Sequence, residues 1–220
     1  KWSTHGAYVA RDTLIGPMYL TIAEVLEPEE QITTWLLEYE ADLFNMRNVT
    51  LSQPYYSPHP WAHVLRGEVK AFLKEYYSNM SALADRETYT FWEHFFHASP
   101  HKTHEEGWFL MRTRWMLWKE VGDTLRLLPA VPRAWLADGQ SIALNGVRSY
   151  FGPVSLCVQS QVAQDKIVAR VACDTDRKPA RVEVRLPHPS GRTAVQVTGG
   201  VYDAARETVR VGAQLQHLGL

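Results

Sequence analysis

Glu93, Glu105 and Glu106 share the stretch Glu87–Glu120 with His94, His97, His101 and His104, with Arg112 and Arg114, and with Trp92, Trp108, Trp115 and Trp118. Hydrolysis of a glycosidic bond needs one carboxyl that stays protonated for the leaving oxygen and a second carboxylate for water or for direct attack. Glu93 and Glu105 are the candidates for those two roles. Trp92 and Trp108 beside them would stack on sugar faces, since a tryptophan joins an apolar body to a polar handle. His104 and Arg112 are candidate substrate contacts. Thr103-His-Glu-Glu106 also reads as a capping box, which assigns Glu106 to the helix start.

The histidines invite a metal reading as well. His94, His97 and His101 stand at i, i+3 and i+7, with His104 following, but Pro100 interrupts the helix that would align them, and there is no His-Glu-x-x-His motif. The spacing therefore predicts no metal site. No cofactor motif is present either.

Placed on a helix from Gly107 to Val121, the stretch divides. Met111, Leu110, Leu117, Trp118 and Val121 form an expected core side; Glu105, Trp108, Arg112, Met116 and Lys119 form an expected site wall. Arg114 falls within the apolar side, where a guanidinium needs a carboxylate, with Asp42, Glu87 or Glu93 as partner.

The elements before this stretch read as helices. Apolar residues from Ala7 to Leu26 keep helical spacing with a break at Gly16-Pro17. Glu27-Pro28-Glu29-Glu30 opens a helix with Ile32, Trp35, Leu36, Tyr39 and Leu43 on one face, reaching about Asn45. The proline-rich segment from Asn48 to Trp61 reads as a long loop, with Tyr55, Tyr56 and His59 as rim contacts for a ligand. From Gly67 to Ala84, Val69, Phe72, Leu73, Tyr76, Met80 and Leu83 mark a buried face, leaving Glu68, Lys70, Lys74 and Glu75 to solvent.

After residue 122 the period changes. Thr124–Leu128, Ser141–Leu144, Val154–Gln159, Lys166–Ala172, Ala180–Leu186, Thr193–Val197 and Thr208–Val211 are short β-branched segments between turn residues, the pattern of an antiparallel sandwich. The expected organisation is a helical region over 1–122 and a β-sandwich over 123–220.

The formal charge of −1 leaves no electrostatic footprint for nucleic acid. No apolar run is long enough to cross a bilayer. Cys157 and Cys173 are too few for a disulfide framework, and fit a cytoplasmic, periplasmic or secreted protein alike. Asn48-Val-Thr50 and Asn79-Met-Ser81 match the glycosylation triplet, which is common by chance. A first residue of Lys1 reads as a processed, excised or truncated product.

The helix rich in Arg and Trp, followed by Leu-Arg-Leu-Leu-Pro-Ala-Val-Pro-Arg-Ala-Trp-Leu-Ala-Asp-Gly-Gln over residues 125–140 and by Ser149-Tyr-Phe-Gly-Pro-Val-Ser155, resembles the C-terminal part of bacterial glycoside hydrolases built on an (α/α) toroid. Val-Glu-Val-Arg-Leu-Pro-His-Pro-Ser-Gly over residues 182–191 is similar to the sandwich strands of that group. The resemblance implies an α+β chain: the last helices of a toroid, then a β-sandwich, with an oligo- or polysaccharide as partner. The N-terminal toroid helices are absent from this sequence, so an exposed apolar face is expected, covered by a missing domain or by a second copy. The competing expectation is a non-catalytic glycan-binding or interaction module.

Overall fold

The computed structural model describes residues 17–45, 59–93, 99–173, 176–211 and 218–219; for residues 39–45 and 218–219 it describes the backbone. The chain is a mixed α+β protein that divides into two compact units, Lys1–Trp115 and Met116–Leu220.

The first unit is helical. Helix α1 is described over residues 17–22 and starts at Pro17, whose fixed φ and missing donor suit a first turn. Then come α2 (Gln31–Asn45), α3 (His59–Arg66), α4 (Val69–Leu83) and α5 (Thr103–Leu117). Met18, Leu37 and Ala62 join α1, α2 and α3 in one apolar cluster. Leu83 and Phe91 join the end of α4 to Trp108 and Phe109 of α5 in another.

Three faces differ from the periodicity reading. In α2, Ile32 and Trp35 are exposed while Thr33 and Leu37 are buried. In α4 the buried stripe is Phe72, Glu75, Tyr76, Asn79 and Leu83. Glu75 thus lies inside, not in solvent, at the edge of this arc, about 40° from Asn79 and about 60° from Phe72 at 100° per residue. In α5 the two sides exchange places. Glu105 and Arg112 are 0% exposed and Trp115 and Met116 are buried, whereas Leu110 is 67% and Met111 45% exposed. Arg114 is half-buried rather than central to a core.

Helix α5 also ends earlier than expected. Trp118–Val121 is a strand, β1, paired antiparallel with β2 (Thr124–Leu127). The physical reason is the two-residue turn Gly122-Asp123, with Gly122 at φ +53°, which closes a tight hairpin. Backbone bonds from Leu128 N to Leu117 O and from Ala130 N to Met116 O tie the returning chain to the end of the helix.

The second unit holds two sheets. The remaining strands are β3 (Ser141–Ser149), β4 (Gly152–Gln161), β5 (Lys166–Cys173), β6 (Arg181–Arg185), β7 (Val201–Asp203), β8 (Thr208–Val211) and β9 (Leu218–Gly219). One sheet has the order β3-β4-β5-β9 and is antiparallel throughout. The other has the order β1-β2-β6-β8-β7 and is mixed, because β2 and β6 run parallel. A parallel pair needs a long crossover, and β3, β4 and β5 supply it. Alternation is clear: β4 buries Val154, Leu156 and Val158, and β5 buries Ile167, Ala169, Val171 and Cys173. Residues 193–197, expected as a strand, form none. Their apolar side chains do not find a buried face; Val195 is fully exposed.

The segment between the sheets is pinned by polar contacts. Ser160 Oγ donates to Leu136 O at 2.7 Å, and Ala163 N donates to Asp138 Oδ1 at 2.9 Å. Arg185, buried, donates to Val131 O at 2.9 Å and to Glu207 Oε2 at 2.9 Å. No described helix is long and apolar enough to cross a membrane.

Candidate functional site

Helix α5 begins at Thr103 and carries Glu105 and Glu106 in its first turn, where carboxylates meet the positive end of the helix. Glu105 points to the buried side. Its Oε2 lies 3.1 Å from His104 Nδ1, and its Oε1 has no hydrogen-bond partner among the described residues. Burial pushes the Glu105 carboxyl above the usual range; the contact with His104 offsets part of this, and the charge of Glu93 adds to it.

Glu93 is positioned by the backbone. Trp92 N donates to Leu83 O at the end of α4, Lys102 N donates to Phe91 O, and Glu93 N donates to Ser99 O, all within 2.9–3.1 Å. The returning chain brings Lys102 Nζ to 3.0 Å from Glu93 Oε2. The two candidate carboxylates therefore share one electrostatic neighbourhood, one paired to a lysine and the other enclosed.

Arg112 is two turns beyond Glu105 on the same stripe, about 10 Å along the axis at 1.5 Å per residue. It is fully buried, and its charge reaches His59. His59 occupies the first residue of α3, with Pro60 next to it in a turn that tolerates proline. The expected loop rim is here a helix start, and the His59 ring is buried. Burial first, then His63 and Arg112, hold it well below the usual histidine range, so it is neutral. His59 and His63 stack with ring centroids 6.2 Å apart. His63 Nδ1 meets Glu68 Oε2 at 2.7 Å, and Arg66 Nε donates to Glu68 Oε1 at 2.7 Å. These bonds hold the Glu68 carboxyl below its usual range, with His63 as the larger cause.

The aromatic candidates take different places. Trp108 packs on the Leu83–Phe91 cluster and meets Trp115 edge-on with centroids 6.2 Å apart. Trp92 is half-buried. Tyr55 and Tyr56 lie outside the described residues, as do His94 and His97. His101 is exposed on a left-handed backbone, and among the described residues no group of three or more His, Cys, Asp or Glu is set to hold a metal ion.

Periodicity reading missed Glu75, Asn79 and His63. Asn79 is buried, so its glycosylation triplet is closed in this fold, and its Nδ2 has no partner among the described residues. Tyr76 OH donates to Thr113 Oγ1 at 2.8 Å, since Thr113 itself donates to Phe109 O at 2.8 Å. The signal that could have found Glu75 and Asn79 is the i, i+3, i+4, i+7 recurrence of Phe72, Glu75, Tyr76 and Asn79, which places polar residues on the arc of two aromatics. The buried arcs of α3, α4 and α5 thus carry His59, His63, Glu75, Asn79, Glu105 and Arg112, a set of polar groups inside the helical unit.

No protein-family model, no curated protein and no solved structure matches the chain.

Proposed function

We propose that this chain is part of a carbohydrate-active hydrolase: the last helices of an (α/α) toroid followed by a β-sandwich, acting on an oligo- or polysaccharide. Glu105 is the proton donor to the leaving glycosidic oxygen, and Glu93 is the second carboxylate, activating water or attacking directly. The single observation that carries the reading is Glu105 itself, a fully buried carboxyl with one oxygen unpartnered among the described residues and its proton favoured by burial, beside a carboxylate paired to Lys102. Two carboxyls in environments that differ this way divide acid and base roles. Oε1 is closed to solvent here, so the surface over it must open when a glycan binds. The resemblance at residues 125–140, 149–155 and 182–191 supports the choice of a glycan as substrate.

The test is release of reducing sugar from a panel of oligosaccharides by the full-length protein and by Glu105→Gln and Glu93→Gln. Each variant should lose about 10²–10⁴-fold in turnover, the usual worth of a positioned acid or base. Unchanged turnover in both would remove these residues from catalysis.

A second reading, a non-catalytic module that packs against a partner, is favoured by the exposed Leu110 and Met111 on α5 and Ile32 and Trp35 on α2. It predicts glycan binding or assembly without turnover. Hydrolysis abolished by Glu105→Gln would exclude it.

A further inference from the structure

A groove of about 710 Å³ opens in the second unit, between the start of β5 and the irregular segment that precedes β7. That size falls within the ~300–1,000 Å³ of small-ligand sites. Its floor is apolar, with Ile167 and Leu186 buried beneath it, and Tyr202 contributes a half-buried aromatic ring. Its walls carry Gln164, Thr193 and Gln196, neutral side chains that both donate and accept hydrogen bonds.

The charges in the wall are largely committed to each other. Arg192 Nη2 donates to Asp165 Oδ1 at 3.0 Å, and the same guanidinium meets His188 Nε2 at 2.9 Å through Nη2 and at 3.2 Å through Nε. Arginine has donors only, so Nε2 accepts from Arg192, while Nδ1 lies 3.0 Å from Ser190 Oγ and 3.2 Å from Ser190 N. Asp165, at φ 51°, and Gly191 next to Arg192, at φ 77°, both stand in left-handed backbone at these contacts. The Arg192 charge is thus partly offset by Asp165 before any ligand arrives, with both side chains exposed. An anion would find Lys166 as its main attraction, whereas hydroxyl groups find a row of amides and a threonine above an apolar floor.

We propose that this groove binds a neutral, hydroxyl-rich ligand, a sugar unit of an oligo- or polysaccharide, with one ring face over Tyr202 and hydroxyls on Gln164, Thr193 and Gln196. Its lining includes neither Glu93 nor Glu105, and binding there does not depend on hydrolysis.

The experiment is an amide chemical-shift titration of the full chain with neutral malto-, cello-, xylo- and arabino-oligosaccharides and, in parallel, with inorganic phosphate. At least one sugar should move the amides of Gln164, Thr193 and Gln196. Tyr202→Ala and Gln196→Ala should each weaken that binding at least tenfold, with Glu105→Gln leaving it unchanged; Gln196→Ala alters an exposed loop and keeps the test sound if Tyr202→Ala disturbs β7. The proposal is overturned if no sugar moves these amides, if phosphate alone does, or if both groove variants bind as tightly as the parent. Sugar binding here without any turnover would leave the groove standing and defeat the hydrolytic reading. Turnover with unmoved groove amides would do the reverse.

Discussion

The two units use buried space differently. In the β unit, alternate residues of β2, β4, β5, β6 and β8 fill the interior with Leu, Val, Ile and Ala; its buried polar groups include Lys119, Glu120, Ser160, Thr208 and Arg185, the last matched by Glu207 and a backbone carbonyl. In the helical unit the interior takes in His59, His63, Glu75, Asn79, Glu105 and Arg112, while Leu110, Met111, Ile32 and Trp35 face outward. A buried polar group costs free energy unless its partners are in place, so the helical interior depends on its internal pairings. Such departures from locally consistent folding concentrate at functional sites. The contrast gives the β unit the more apolar core and the helical unit the larger share of buried polar groups.

The largest expected effect sharpens the β side of this contrast. Glu207→Ala leaves the buried Arg185 with the Val131 carbonyl as its described partner, and should cost about 3–5 kcal/mol in urea unfolding. The double variant Arg185→Met with Glu207→Leu should recover most of that loss. Equal, small losses in both would mean that the pair is solvated.

On the helical side, acid should be the weak point. His59 has a folded-state pKa below its unfolded value of 6.5, so above that pH neither state binds its proton and no penalty arises. As pH falls below 6.5 the unfolded chain binds the proton first, and stability drops until the folded-state value is reached. Melting temperature should decline from pH 7 to pH 5, and His59→Gln should flatten the decline. An unchanged slope in the variant would place the acid sensitivity elsewhere.

Glu105 works with the opposite sign. Its folded-state pKa is raised above 4.5, so the folded state binds more protons just above that pH, and stability is lost as pH rises through the raised value. Glu105→Gln should therefore raise the melting temperature at pH 7, with the gain gone below pH 4.5, where both side chains are neutral. A variant less stable at every pH would show that the carboxylate is well solvated or paired.

The smallest effect is expected at the exposed apolar stripe. Leu110→Ser should change stability by no more than about 0.5 kcal/mol, as for other surface positions. A loss of several kcal/mol would mean that α5 buries this stripe in solution.

Most of the β unit was legible from alternation and turn residues, and β3, β4, β5, β6 and β8 all fall where the β-branched segments lie. Strand β1 was hidden by its helix-compatible residues Trp118, Lys119 and Glu120, although Gly122-Asp123 is the hairpin signal that marks it. The parallel β2–β6 pair was not legible, since pairing across a crossover leaves no local trace. Among the helices, positions read better than faces. In α5, Trp108, Phe109, Leu110 and Met111 run consecutively, so apolar residues point all round and periodicity cannot choose the buried arc. That choice is made by tertiary packing of Phe109 against Tyr76 and Phe91, with centroids 5.5 and 4.8 Å apart. The candidate glutamates were legible as residue types; the enclosure of Glu105, on which their proposed division of labour rests, was not.

That division can be measured directly. A pH titration of the Glu105 side-chain carboxyl by carbon NMR should give an apparent pKa above 4.5, moving down in Glu93→Gln as the neighbouring negative charge is removed. A value at or below 4.5, unmoved by the Glu93 substitution, would contradict the account.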